Sequence, residues 1–238
     1  MMLPLIRRGL EEYGLADRVP PEAAGTLERY GALLLEKNQV MNLTAITEPE
    51  QVATLHMLDC AALLNVCDLT GRRLLDVGTG AGFPGVVLKI LAPSLDATLL
   101  DSLNKRLDWL VETCGTLGLT GIRTVHARAE EKGRDPAFRE RFDIVTSRAV
   151  AELRTLAELC LPYVAPGGVF LAMKSMDSGG ELDAAAPALT LLGGTVEALR
   201  DYQIPGTDVR HRVIVIRKAG KTPEKYPRPF AKIKKNPL

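Results

Sequence analysis

Short apolar segments alternate with amphipathic stretches from Arg73 onward. Segments with the length and composition of strands lie at 74–77, 97–101, 122–126, 142–146, 169–173, 195–203 and 212–217. Apolar residues at helical spacing fill 84–91, 103–117, 152–161 and 180–192. The alternation predicts an α/β fold with a doubly wound, mostly parallel sheet. The last two segments follow each other across Pro205-Gly206 without a helix, so they predict a hairpin and an antiparallel C-terminal edge.

The first 66 residues have helical rather than alternating spacing. One helix is predicted over 7–13, and a second begins at Pro20. Thr47 and Glu50 match a capping box that opens a third helix. We therefore divide the chain into three parts of one structural domain: an N-terminal helical extension at 1–66, an α/β core at 67–218 and a basic C-terminal tail without regular structure at 219–238.

Composition excludes several classes of protein. The longest apolar runs are interrupted well short of the ~20 residues that a membrane span needs. At the N-terminus, basic residues follow a short apolar stretch. A secretory signal peptide has the reverse order, so we expect a cytoplasmic protein. Four cysteines without a C-x-x-C pair and three dispersed histidines argue against a disulfide framework and against a metal site.

Charge is distributed unevenly, although the net charge is only +1. From Arg210 to the last residue, ten Lys and Arg residues stand beside a single acid, Glu224. A basic end of this kind favours a polyanionic partner such as nucleic acid. The alternative is a tail that serves only solubility.

A glycine-rich run, DVGTGAGFPG at 76–85, follows the first strand of the α/β core. Gly78 and Gly80 allow the chain to turn tightly and to approach a ligand without an intervening Cβ. Asp101 ends the next strand 21 residues after Gly80, where a carboxylate can accept hydrogen bonds from both hydroxyls of a ribose. The loop and the acid together predict a nucleoside-bearing cofactor.

The same run matches the dinucleotide fingerprint G-x-G-x-x-G, so NAD is an alternative cofactor. Asp76 favours S-adenosylmethionine, because an acid there can hold a cationic amino group but repels a pyrophosphate. Pro84 also favours S-adenosylmethionine over NAD, because proline lacks the backbone amide that a pyrophosphate would use at the start of the helix. Phe83 would pack on the methionine portion or anchor the loop to the core. The backbone at Ala129 and Glu130, after the third strand, could contact an adenine edge, or it could be an ordinary charged loop.

The fourth strand ends near Ser147 and Arg148, at the sheet edge where open α/β sheets bind ligands. No Asn/Asp-Pro-Pro-aromatic motif for an amine acceptor stands there, and no cysteine is placed to attack a pyrimidine. The acceptor should therefore be intrinsically nucleophilic, as guanine N7 is. Arg148 would then donate to guanine O6 or hold a phosphate. Alternatively, Arg148 caps a helix or pairs with Asp101 or Glu152.

Several runs of the sequence form a distinctive set: Asn42-Leu43-Thr44, His56-x-x-Asp59, the glycine-rich run, Leu100-Asp101-Ser102 with Lys105-Arg106, Ser147-Arg148-Ala149, Lys174, and Lys225-Tyr226-Pro227-Arg228. Together they resemble the RsmG (GidB) family of bacterial small-subunit rRNA guanine-N7 methyltransferases. The resemblance implies a Rossmann-like fold that uses S-adenosylmethionine. It also implies methyl transfer to N7 of a specific guanine in 16S rRNA, within a small ribosomal subunit or an assembly intermediate.

The resemblance assigns individual residues as well. It implies cofactor contacts at Gly78, Phe83, Ala129, Glu130 and Arg148, to which the motif itself adds Gly80 and Asp101. Arg148 is the candidate catalytic residue, and no metal is expected. The candidates for binding RNA are Lys37, Lys174, Arg212, Lys225 and Arg228.

Three alternative functions stay open at this point. The first is a methyltransferase for a small molecule, the second an NAD-dependent dehydrogenase, and the third a non-catalytic rRNA-binding assembly factor. A monomer is expected, because the sequence has no obvious dimer seam.

Overall fold

The computed structural model describes residues 1–149 and 151–238. Within them, seven strands form one sheet in the order β3-β2-β1-β4-β5-β7-β6. The strands are β1 (Arg73–Val77), β2 (Asp96–Asp101), β3 (Ile122–His126), β4 (Phe142–Arg148), β5 (Val164–Ser175), β6 (Gly194–Gln203) and β7 (Arg210–Lys218). Strands β1 to β5 pair in parallel, whereas β7 is antiparallel to both β5 and β6. The predicted sheet with its antiparallel edge is therefore confirmed.

Helices cover both faces of the sheet. They are α1 (Met2–Glu12), α2 (Ala23–Asn38), α3 (Pro49–Gln51), α4 (Asp59–Ala61), α5 (Gly85–Leu91), α6 (Asn104–Thr116), α7 (Ala129–Lys132), α8 (Leu153–Cys160), α9 (Gly179–Leu191) and α10 (Phe230–Lys235). A π-helix (Val52–Leu58) joins α3 to α4, and 3₁₀ turns lie at Ala62–Asn65, Leu161–Tyr163 and Met176–Ser178. The four helices predicted in the α/β core lie within one residue of their predicted bounds.

Buried apolar side chains form two cores, one on each face of the sheet. Residues of α1, α2 and the π-helix share the first core with α5 and α6, as Ile6, Leu27 and Val86 illustrate. Residues of α8, α9 and α10 share the second core, which includes Leu156 and Ile233. The N-terminal helices therefore bury one face of the α/β sheet.

The helix after residue 48 is less regular than the sequence predicts. Thr47 and Glu50 do not form a capping box: Glu48 occupies the N-cap position, and no side chain caps the helix. Glu50 instead accepts a hydrogen bond from the N-terminal amine of Met1 at 3.1 Å. The helix continues as the π-helix, which carries His56. π-helical turns within a helix often occur at functional sites.

Residues 219–238 are not a tail without structure, and that prediction is wrong. The segment contains α10, in which Ile233 is fully buried, and Tyr226 is also buried. Ile233 packs in the second core, where α10 contacts α8. The Lys-rich composition hid this pattern, because the lysines of α10 stay exposed while Ile233, which lies between two of them, packs inward.

Candidate active site

A cavity of about 810 Å³ lies at the carboxyl ends of the parallel strands. Residues from the ends of β1 to β5 line it, together with residues from the segment before and within the π-helix, His211 of β7 and Phe230 of α10. This is the edge at which open α/β sheets bind ligands, and the volume is typical of small-molecule sites. Among the described residues, no His, Cys, Asp or Glu cluster could hold a metal ion.

Glycines and hydrogen bonds to β2 shape the loop after β1. Gly78 and Gly80 have φ values of 71° and 57°, which residues with a Cβ rarely adopt. The amides of Gly78 and Thr79 donate to Leu100 O at 2.9 and 3.1 Å, and the amide of Gly80 donates to Asp101 Oδ2 at 2.9 Å. The loop backbone therefore lies against the cavity in a fixed conformation.

The other two glycines of this loop are needed for packing. A Cβ on Gly82 would lie 2.5 Å from Tyr30 Oη, and a Cβ on Gly85 would lie 2.3 Å from Leu99 Cδ2. Neither position has room for a larger residue. Gly82 thus lets the loop pack against α2, and Gly85 lets α5 pack against β2.

Asp76 lies beneath the loop, fully buried and outside the cavity lining. Its Oδ2 accepts hydrogen bonds from Thr79 Oγ1 at 2.7 Å and from the Gly85 amide at 2.9 Å, and its Oδ1 accepts one from Thr146 Oγ1 at 3.3 Å. Burial raises the pKa of Asp76 to about 6, although these hydrogen bonds oppose the shift. The carboxylate of Asp76 therefore faces the loop backbone and not the cavity, and it fixes the loop from below.

Asp101 and the start of α7 border the next part of the cavity. The carboxylate of Asp101 accepts the Gly80 amide on one oxygen and the Leu103 amide on the other, each at 2.9 Å. An ionised carboxylate can accept about four hydrogen bonds, so acceptor capacity remains for ribose hydroxyls. Ala129 and Glu130 also line the cavity, as the prediction requires. Tyr163 Oη donates to Ala129 O at 2.6 Å and fixes this backbone.

Arg148, at the end of β4, is bound by residues of the irregular helix. Its Nη1 donates to Asp59 Oδ2 at 2.9 Å, and its Nη2 lies 3.0 Å from His56 Nδ1. Only 15% of the Arg148 side chain is exposed, so its charge depends on these partners. The alternatives in which Arg148 pairs with Asp101 or Glu152 are wrong, because Asp59 is its partner.

The ring of His56 connects this guanidinium to the aromatic wall of the cavity. A guanidinium can only donate, so Nδ1 of His56 accepts and the ring is neutral. Its Nε2 then carries the proton and donates to Thr44 Oγ1 at 2.8 Å. Burial and the charge of Arg148 lower the pKa of His56 to about 4. The His56 ring stacks on Phe83 with a centroid separation of 4.4 Å, and Arg148 Cζ lies 5.0 Å from the Phe83 centroid.

Asp59 holds this cluster to the antiparallel edge of the sheet. Its Oδ1 accepts hydrogen bonds from Tyr202 Oη and from His211 Nδ1, both at 2.7 Å. Burial alone would raise the pKa of Asp59, but the hydrogen bond from His211 and the charge of Arg148 outweigh it and lower that pKa. The hydrogen bond with Asp59 raises the pKa of His211, against the effect of burial. Asp59 therefore accepts hydrogen bonds from the guanidinium of Arg148 and from the imidazole of His211, and both partners favour its ionised form.

Two of the residues predicted to bind RNA lie opposite each other on β5 and β7. Lys174 lines the cavity, and its Nζ contacts Glu181 Oε2 at 2.7 Å. Arg212 forms a two-pronged ion pair with Asp201, at 2.6 and 2.8 Å. Both cations lie at the C-terminal end of β5 and the adjoining start of β7, and each already has an acidic partner.

The other three candidates lie in different surroundings. Lys37 lines a separate groove beside Trp109, outside the cavity lining. Lys225 is exposed. Arg228 is bound to the carboxylate of Glu158, which is fully buried. The guanidinium of Arg228 therefore has a structural partner, and Lys225 is the more accessible cation of the two.

Several residues of the cavity were missed as site residues by sequence reasoning: Leu43, Thr44, His56, Asp59, Arg106, Leu159, His211 and Phe230. Of these, His56 and Asp59 belong to the run His56-x-x-Asp59, which carried no assigned role. His211 gave no local signal, because its partner Asp59 lies 152 residues away in the sequence.

Comparison with known proteins decides the family. Residues 24–209 match the GidB family, rRNA small subunit methyltransferase G. The chain belongs to this family. The ribosomal RNA small subunit methyltransferase G of Lachnoclostridium phytofermentans is 50% identical over 212 residues, which cover 89% of this chain and 88% of the relative. That of Symbiobacterium thermophilum is 48% identical over 240 residues, which cover 97% and 98%.

Solved structures share the fold of this GidB-family chain. TrmN from Thermus thermophilus has a TM-score of 0.52 and 26% identity, over 67% of this chain and 48% of that chain. TYW2 of M. jannaschii, in complex with AdoMet, has a TM-score of 0.51 and 12% identity, over 66% and 72%. The chain is thus a methyltransferase of Rossmann-like fold that uses S-adenosylmethionine. The dehydrogenase alternative is set aside.

The residues of the cavity fit this cofactor. Gly78 and Gly80 bring backbone to the cavity wall without a Cβ, and Asp101 keeps acceptor capacity for a ribose. Phe83 and His56 supply a flat apolar wall beside the loop.

None of the described helices is long and apolar enough to cross a membrane.

Proposed function

We propose that this protein transfers a methyl group from S-adenosylmethionine to N7 of a specific guanine in 16S rRNA of the small ribosomal subunit. One observation carries the proposal: Arg148 is held by Asp59 and His56 at the end of β4, in the same cavity as the glycine-rich loop. Membership of the GidB family supports rRNA as the substrate. Because bacterial ribosomes are assembled in the cytoplasm, the proposal places the protein there, and we propose that it acts as a monomer.

The cofactor supplies a methyl group that its sulfonium already activates, so the protein has to bind and orient it. Gly78 and Gly80 let the loop approach the cofactor closely. Asp101 would accept the ribose hydroxyls, as its remaining acceptor positions allow. The backbone of Ala129 and Glu130, which lines the cavity, would contact the adenine.

Phe83 of the glycine-rich loop and His56 stack on each other and both line the cavity. Their stacked rings exclude water from one wall, and Arg148 lies against Phe83. We assign Phe83 to the methionine half of the cofactor. We assign Arg148 to the part of the cavity in which the methyl group to be transferred would lie.

Guanine N7 has an exposed lone pair and needs no deprotonation, so the reaction requires no general base. Arg148 uses three of its N–H groups on Leu55 O, Asp59 and His56. A guanidinium has about five such donors, so about two remain for the acceptor. We assign these donors to guanine O6 or to an adjacent phosphate, where they fix the base in line with the methyl group.

Cations outside the cluster orient the RNA through its phosphates. Lys174 at the cavity and Arg212 beside it are the candidates nearest to the acceptor end. Lys225 is exposed on the C-terminal segment, whereas Lys37 lies in a separate groove and Arg228 already pairs with Glu158. Phosphate contacts set the register of the RNA without reading its sequence.

The proposal is tested by methyl transfer from labelled S-adenosylmethionine to small subunits that lack the modification. We expect a single 7-methylguanosine in 16S rRNA, identified by nucleoside mass spectrometry and located by chain cleavage. Arg148→Ala should lower the rate by at least about 100-fold, because the acceptor loses its orientation. Arg123→Ala is the matched control, since Arg123 forms an exposed ion pair with Asp96 on the sheet.

Other outcomes separate the alternatives. Binding of the cofactor without labelling of subunits or of free 16S rRNA would contradict the proposal and favour a small-molecule acceptor. Retained RNA binding with lost methylation in Arg148→Ala would exclude the role of a purely structural assembly factor.

A further inference from the structure

Phe230 is an aromatic residue with 39% of its surface exposed, and it lines the cavity. It opens α10, in the basic segment after Arg217. Single exposed apolar residues are common on proteins. A ring that borders the active-site cavity from a distant part of the chain calls for a specific explanation.

The segment that leads to Phe230 is bound to the connection between α7 and β4. The guanidinium of Arg139 donates to Thr222 O at 2.7 Å and to Tyr226 O at 2.8 Å. The guanidinium of Arg134 donates to Lys225 O at 3.0 Å. The C-terminal segment is therefore tied to the chain that directly follows Ala129 and Glu130.

A buried ion pair positions the start of α10 against α8. Arg228 and Glu158 approach to 2.7 Å, and the Arg228 amide also donates to the same carboxylate at 2.8 Å. Glu158 is fully buried, and its neighbour Leu159 lines the cavity. Ile233 packs in the same core as Leu159. Phe230 therefore enters the cavity on the side of α8 that Leu159 occupies.

This is the adenosine side of the cavity and not the acceptor side. α7, which begins at Ala129, contacts α8, and Tyr163, in the 3₁₀ turn that follows α8, donates to Ala129 O. Leu103, Leu159 and Phe230 are apolar residues of the cavity lining that belong to elements around this side. The cluster of Arg148 with its partners lies on other elements, at the end of β4.

We propose that Phe230 binds the adenine ring of the cofactor, so that the C-terminal segment completes the cofactor pocket. The inference rests on the use of S-adenosylmethionine in the proposed function. A flat aromatic ring offers a nucleobase a stacking surface whatever its hydrogen-bonding pattern. The lysines of α10 stay exposed beside it, and the anchor of the segment is the pair of Arg228 with Glu158.

The test is calorimetric titration of the full chain with S-adenosylhomocysteine. Phe230→Ala should weaken binding by about 5- to 100-fold, the range for loss of one stacked base. Phe230→Tyr should bind close to the original protein, and Phe230→Leu should fall between the two, because it keeps apolar volume without a ring face. Leu191→Ala is the matched control: Leu191 is 41% exposed on α9 and lies outside the cavity lining.

A second readout separates cofactor binding from RNA binding. Phe230→Ala should raise the KM for S-adenosylmethionine while the KM for small subunits stays unchanged. An unchanged affinity for S-adenosylhomocysteine with a raised KM for subunits would overturn the inference and assign Phe230 to the RNA. An equal loss of affinity in Leu191→Ala would also overturn it. If the original protein bound no S-adenosylhomocysteine, the proposed function itself would fail, which is a distinguishable result.

Discussion

Asp76 and Asp59 are buried carboxylates at the same active site, and their surroundings differ in kind. Asp76, under the glycine-rich loop, accepts hydrogen bonds from neutral donors: a backbone amide and the hydroxyls of Thr79 and Thr146. Asp59, across the cavity, accepts them from Arg148, His211 and a tyrosine. Burial raises the pKa of Asp76 to about 6, whereas the pKa of Asp59 is lowered because the hydrogen bond from His211 and the charge of Arg148 outweigh burial.

The difference indicates that the two carboxylates stabilise the active site in different ways. Around Asp76, oxygen positions matter most, because neutral donors need acceptors more than they need charge. Around Asp59, the charge itself matters, because it keeps a nearly buried guanidinium stable and oriented at the end of β4. The same carboxylate-to-amide substitution should therefore have unequal effects at the two positions.

The largest effect is expected for Asp59→Asn. The substitution leaves Arg148 without its anionic partner, and we expect a loss of about 3–5 kcal/mol in the free energy of unfolding. Urea denaturation measures it. Asp201→Asn is the control, since Asp201 pairs with Arg212 in a more exposed setting and should cost about 1 kcal/mol or less. Equal losses in the two variants would contradict the role of Asp59 charge.

A pH-dependent effect is expected for Asp76→Asn. The pKa of Asp76 is raised from the ordinary value of 3.8 to about 6, so the folded protein binds a proton that the unfolded chain releases. The contribution of Asp76 is therefore most favourable below about pH 4 and falls as the pH rises to about 6, by about 3 kcal/mol in all. Asparagine does not titrate.

Denaturation of both proteins at pH 5 and at pH 7.5 checks this prediction. The original protein should gain stability relative to Asp76→Asn at the lower pH. At pH 7.5 the variant should lose little, because the amide can keep an oxygen for Thr79 and the Gly85 amide while its NH₂ group faces the Thr146 hydroxyl. Parallel stability curves would show that Asp76 does not titrate in this range.

The smallest effect is expected for Tyr202→Phe. It removes one hydrogen bond to Asp59 and keeps Arg148 and His211 as partners, so the free energy of unfolding should fall by about 1 kcal/mol. Tyr13→Phe is the comparison, because Tyr13 Oη donates to Gln203 O at an exposed position and should cost less. A loss as large as that of Asp59→Asn would mean that the tyrosine, rather than the charge, holds the cluster.

The sequence predicted the parts of the site that are local or follow from the parallel sheet. The glycine-rich loop and Asp101 belong to neighbouring strands, and a parallel sheet brings their carboxyl ends to one edge. Arg148 was predicted at this edge, but its partner Asp59 lies 89 residues away on a helix whose irregular course the sequence pattern did not show. Pairing between distant segments leaves no periodic signal.

The surroundings of Asp76 and the structure of the C-terminal segment could not be predicted, for other reasons. Asp76 stands one residue before the end of β1, where the side chain is buried below the loop and outside the cavity lining. In the C-terminal segment, the many lysines concealed Tyr226 and Ile233, whose burial depends on α8. Local composition cannot report a partner that lies elsewhere in the chain.

The pair of Glu158 with Arg228 has a consequence for protein synthesis. Glu158 is fully buried in the folded protein, yet it leaves the translating ribosome 70 residues before its cation does. A chain cut short by a premature stop codon before residue 228 would bury that carboxylate without a counter-charge or leave α8 undocked. Such fragments would unfold readily and be exposed to proteases. The stability of the whole protein therefore depends on an ion pair that can form only after residue 228 has been synthesised.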